Sequence, residues 1–100
     1  MRDLADIQSA DARFAILRTL AEQVDGQLNA LLIRRTLDIY GIKRDDDWIE
    51  TQLRKMHSLG AIELDFAGTL LVARIAPAGR SHLEERTVLA GITLPSELRR

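Results

Sequence analysis

Apolar residues recur at helical spacing as far as Gly60, and from Ala61 onward at a spacing of two. The segment from Ser9 to Gln23, SADARFAILRTLAEQ, predicts a first helix. Ile16, Leu17, Leu20 and then Val24 return at steps of one, three and four and make one apolar stripe. Arg13, Arg18 and Glu22 fall on the wet side, and Asp25-Gly26 stops the helix. The residues before it, polar apart from Leu4 and Ile7, read as a short lead-in turn or helix. Asn29 is the expected N-cap of a second helix, NALLIRRTLDIY, with Leu28 and Ile33 at the two positions of a hydrophobic staple. Leu31, Leu32, Ile33, Leu37 and Ile39 predict a wide apolar face set deep in the core, and Gly41 ends the helix.

A third helix follows the short connection Ile42-Lys43-Arg44. Asp45 or Asp47 caps it, and Asp47 with Glu50 has the spacing of a capping box. Ile49, Leu53 and Met56 mark its buried stripe, and Gly60 closes it. The run Asp45-Asp46-Asp47 suits the positive end of the helix dipole and needs no function to explain it. Beyond Ala61, Ile62 and Leu64 alternate with Glu63 and Asp65. Phe66-Ala67-Gly68-Thr69 then turns the chain, and Leu70–Ile75 returns as a second strand. In that strand Leu71, Ala73 and Ile75 share one face, while Leu70 and Val72 share the other and require cover. Pro77 opens a closing helix, PAGRSHLEER, where its missing N–H costs nothing. The tail TVLAGITLPSELRR reads as an arm that packs on something: Val88, Leu89, Ile92 and Leu94 suit the outer face of the wing, within one chain or across a two-fold homodimer.

This order describes an α+β, mainly α domain with winged helix-turn-helix architecture. It divides into a lead-in (1–8), a three-helix core (9–60), a wing hairpin (61–76), a closing helix (77–86) and a C-terminal arm (87–100). The stretch GIKRDDDWIETQLRKMHSLGAIELDFAGTLLVARIAPAGRSHLEE resembles the winged-helix superfamily. Ile49, Leu53, Met56, Gly60 and Ile62 stand at its apolar and glycine positions, and IAPAGRSHLEE is similar to the exit from the wing in many bacterial regulators. Taken whole, through DARFAILRTLAEQ, SLGAI and the glycine-containing tail before Pro95, the chain resembles a family of short winged-helix proteins of Mu-like phages and prophages. That resemblance implies a phage context, a regulator-like fold and residence in the cytoplasm of a bacterial host.

Composition narrows the chemistry. With 46% apolar and 29% charged positions, the 100 residues suffice for one core of a soluble domain. No apolar run is long enough to span a bilayer, and acids occupy the place of a signal-peptide core. The absence of cysteine excludes disulfides, a thiolate nucleophile and cysteine-based zinc sites. His57 and His82 lack ligand spacing, His57-Ser58 point in different directions as helix neighbours, and there is no Gly-rich phosphate loop. No catalysis, metal or cofactor is therefore expected.

Two binding roles follow from the fold, with DNA-binding, regulator-like action as the leading reading and protein docking as the alternative. In the first, duplex DNA is gripped by Lys43, Arg44, Thr51, Arg54 and Lys55, with Arg34-Arg35 as further phosphate contacts. Fourteen basic against fifteen acidic residues exclude a bulk positive coat, however. The superfamily pattern turns Asp46, Asp47, Glu50, Thr51 and Arg54 outward, and three of these five are acidic. The wing tip holds no lysine or arginine. In the second role a phage or host protein docks on Trp48, Phe66, Leu70 and Val72, with no membrane involved. Trp48 stands where the superfamily prefers a small residue, so its indole either packs into the core or lies at the rim as a contact.

Overall fold

The computed structural model describes residues 3–98, and its first helix, α1, runs Leu4–Ala21. It begins well before Ser9, because Asp3 caps it by accepting from the Asp6 N–H at 2.9 Å. The expected lead-in is thus mostly helix. It also ends short of Val24, which is fully exposed and takes no part in the stripe. Instead Ala10, Ala12, Phe14, Ile16, Leu17, Thr19 and Leu20 are all buried, too many for a single stripe. Helix α1 is enclosed on several sides.

A short strand, β1 (Gln27–Asn29), follows, and it was not legible as a strand because only Leu28 among its three residues is apolar. Helix α2 (Ala30–Ile39) starts at the expected cap, where Asn29 accepts from the Leu32 N–H at 2.8 Å. Its apolar face is narrower than expected: Ile33 and Leu37 are buried, but Leu31, Leu32 and Ile39 are 38%, 41% and 81% exposed. Helix α3 (Asp46–Ser58) is capped by Asp45, which accepts from the Trp48 N–H at 2.8 Å; Asp47 does not serve. Ile49, Gln52, Leu53 and Met56 form its buried side. At its end Gly60 takes φ +82°, so that its own N–H reaches His57 O and the Ala61 N–H reaches Met56 O, both at 3.0 Å. That pair of bonds is the Schellman stop, and it turns the chain straight into the sheet.

Strands β2 (Ile62–Ala67) and β3 (Leu70–Ile75) pair antiparallel from Ile62↔Ile75 to Ala67↔Leu70, leaving only Gly68-Thr69 as the loop. The turn is therefore tighter than a Phe66–Thr69 reversal. Strand β1 adds to the other edge of β3, through Leu28↔Ala73, and gives the order β1-β3-β2. Ile62, Leu71, Ala73 and Ile75 face the helices and are buried. Helix α4 (Pro77–Leu83) lies so close to the start of the sheet that a Cβ on Gly79 would stand 2.3 Å from Ala61 O. Only glycine allows that approach. A last short helix, α5, covers Pro95–Leu98.

The arm does not cover the wing. Ile92 is buried in the common core, Thr93 donates its N–H to Ala10 O at 3.3 Å, and its hydroxyl donates to Asp11 Oδ1 at 2.5 Å. It folds back over α1, within its own chain. Three helices, a β-hairpin and a strand between the first two helices make a mainly helical α+β domain with a winged-helix-like arrangement.

Candidate macromolecule-binding surface

The outer face of α3 is built by helical spacing from Asp47, Glu50, Thr51 and Arg54, all exposed. Its charges are mutually engaged. Arg54 Nε donates to Glu50 Oε2 at 3.1 Å, one helical turn away. Asp46 flanks the face and draws in α2, with Arg34 Nε 2.8 Å from its Oδ1, close enough for an ion pair though not aligned as a hydrogen bond. Thr51 returns its hydroxyl to Asp47 O at 2.9 Å. Of the five residues expected to grip DNA, Thr51, Arg54 and Lys55 lie on α3 and Lys43 and Arg44 lie in the turn before it. All five are exposed, but Arg54 is spent on a carboxylate and Arg44 is turned elsewhere.

Arg44 lies over the Trp48 ring, with its guanidinium carbon 4.6 Å from the ring centroid. Trp48 is half-buried and packs against the core with one side. The other side borders a groove of about 500 Å³, closed by Ala5, Gln8, Ser9 and Asp11 of α1 and by Tyr40 to Arg44 of the α2–α3 turn. Trp48 is thus neither wholly in the core nor wholly at the rim. Tyr40, Ile42 and the α1 residues were missed as a site. The available signal was an aromatic residue at a helix end, shortly before a Lys-Arg pair.

The other residues expected to meet a protein do not join Trp48. The register places Phe66 opposite Leu71, on the helix-facing side of the wing but beyond the core, where it is 61% exposed. Leu70 and Val72 occupy the opposite side, with Leu70 exposed and Val72 half-buried beside the Glu63–Arg74 pair. There Arg74 Nη2 donates to both Glu63 oxygens, at 2.7 and 3.1 Å, and these bonds raise the guanidinium's pKa above its ordinary value.

Two polar residues prove to be internal fastenings. Arg13, expected on the wet side, donates through Nε to Gln52 Oε1 and through Nη1 to Gly91 O, both at 2.8 Å. Burial pushes its pKa below the ordinary arginine value, and Asp6 opposes that shift. His82 is fully buried; the Leu89 N–H donates to its Nδ1 at 3.0 Å. The proton therefore sits on Nε2, which donates to Thr93 O at 3.1 Å. Ser58 likewise donates to Lys55 O. Among the described residues no group of three or more His, Asp and Glu side chains is placed to hold a metal ion. His82 has both nitrogens committed to the backbone.

No protein-family model matches the chain, no curated protein matches it, and no solved structure matches it. The winged-helix-like assignment stands on the element order and strand register of the molecule itself. No helix of the described residues is long and apolar enough to cross a membrane.

Proposed function

We propose that this domain is a docking module that binds a protein partner through the outer face of α3 and the wing tip. One observation carries the reading. Asp46, Asp47 and Glu50 occupy the helix that would enter a major groove, and Asp46 and Glu50 neutralise Arg34 and Arg54 instead of leaving those cations for phosphates. The wing tip agrees with it, presenting Phe66 and Leu70 without a basic residue. Exposed carboxylates beside an apolar tip suit a partner with basic and apolar side chains. The sequence resemblance to Mu-like phage proteins favours a phage or host protein as that partner.

Duplex DNA is the second reading, supported by Lys43 and Lys55, which are exposed and make no ion pair among the described residues. A titration of labelled duplex fragments at low salt separates the two, since low salt is the condition most generous to phosphate binding. The expected result is no saturable binding by the wild-type protein. Saturable binding that tightens when Asp46, Asp47 and Glu50 become Asn, Asn and Gln would overturn the docking reading. In that case replacing Arg44 and Arg54 together would flatten the salt dependence by about two units of slope.

A further inference from the structure

We infer that the groove beside Trp48 is a second docking site, and that its occupant is a short acidic segment of a partner protein bearing one large apolar side chain. It lies on a different face from the outer side of α3, so it stands independently of the function proposed above. At about 500 Å³ the groove has room for one or two side chains. Its walls supply apolar contact from Tyr40, Ile42 and the exposed part of Trp48. Tyr40 is 52% exposed, an unusual position for a large aromatic with nothing over it.

Charge at the groove mouth selects the occupant. Arg44 is held over the indole, its guanidinium carbon 4.6 Å from the ring centroid. Lys43 adds a second exposed cation beside it. Neither makes an ion pair among the described residues. Three acids of this region are held by other partners. Asp45 accepts from the Trp48 N–H, Asp46 pairs with Arg34, and Asp11 accepts from the Thr93 hydroxyl. Asp47 faces outward with Glu50 and Thr51, away from the Trp48 side of the helix. The groove therefore offers two cations that make no ion pair among the described residues, beside the apolar surface of Tyr40, Ile42 and Trp48, the complement of an acidic segment with an apolar anchor.

Trp48 is the single tryptophan of the chain, so its fluorescence reports occupancy of this groove without a label. The test is a display library of random peptides of about ten residues, selected on the full-length protein and counter-selected on Arg44→Gln. The expected enrichment is Asp and Glu around one Phe, Leu or Trp. Selected Trp-free peptides should then shift Trp48 emission saturably. Arg44→Gln should weaken them about tenfold, Lys43→Gln about threefold, and salt near 0.5 M should weaken them further. Glu50→Gln, on the outer face of α3, should leave these affinities unchanged, which keeps failure of this site distinct from failure of the α3 surface. Enrichment of basic or uncharged peptides, or affinities equal in wild type and Arg44→Gln, would overturn the inference. So would a duplex oligonucleotide that displaces the peptides and shifts Trp48 more tightly than they do, since the groove would then be a phosphate site.

Discussion

Helices α1 and α2 carry similar numbers of leucines and isoleucines, yet the fold treats them in opposite ways. Helix α1 packs against the sheet, α2, α3 and α4 and is also bonded by the returning arm, so residues around most of its circumference are buried. Helix α2 has Ile33 and Leu37 in the core and leaves Leu31, Leu32 and Ile39 in contact with water. The difference lies far away in sequence. Arg13, Asp11 and Ala10 hold Gly91 and Thr93, while His82 holds Leu89 and Thr93, and together these bonds draw the arm over α1. Helix α2 packs on α3, β1 and β3 through the face that holds Ile33 and Leu37. Its exposed leucines are left over from folding, whereas the polar residues of α1 are consumed by it.

The sharpest way to test that contrast is to cut equal side chains from the two helices. Leu17→Ala, at a fully buried site in α1, should cost about 2–5 kcal/mol in a urea titration. Leu53→Ala, where α3 meets the same core, belongs to the same range. A loss below about half a kcal/mol at either would mean that the helix faces are assigned wrongly. Gly79→Ala should rank with them, because its methyl would collide with Ala61 O, a backbone atom that cannot swing aside. Wild-type stability in the Gly79→Ala protein would show that α4 is free to lift from the sheet.

The arm supplies the next effect in size. Arg13→Met keeps the length of the side chain but leaves the Gly91 carbonyl and the Gln52 amide without their donor, for a loss of about 1–3 kcal/mol. Amide exchange should show where that loss is felt. Faster exchange at Leu89 and Thr93, with α3 unchanged, is expected; uniform acceleration would mean that Arg13 supports the whole core instead of the arm.

Much of this architecture was legible in the sequence, because it rests on local rules. Asn29 and Asp45 cap because their side chains reach N–H groups three residues on, and Gly60 stops α3 because its backbone conformation is rare for other residues. The faces of the wing follow from a period of two. What failed was everything decided by a partner distant in the chain. No local pattern says that Arg13 meets Gly91, that His82 meets Thr93, or that Ile39 meets nothing. The three-residue β1 failed for the same reason, since its existence depends on the free edge of β3. The binding residues divide likewise. Exposure of Thr51 and Arg54 followed from the superfamily pattern, but the stacking of Arg44 on Trp48 and the groove beneath it needed α1 in place.

The smallest expected effect bears most directly on α2. Ile39 is 81% exposed and near the last turn, so Ile39→Ser removes little buried area and should change stability by less than about 0.5 kcal/mol. Leu32→Ser, at 41% exposure, should cost more than Ile39→Ser but well under the cost of Leu17→Ala. The ranking matters more than either value, because it follows from which side chains the arm and sheet reach. Measuring both variants at several protein concentrations adds a second reading. Stability independent of concentration is expected of a chain whose α2 face stays uncovered. A stability that rises with concentration in wild type, and loses that dependence in Ile39→Ser, would mean that a second copy covers this face, and α2 would then be as enclosed as α1.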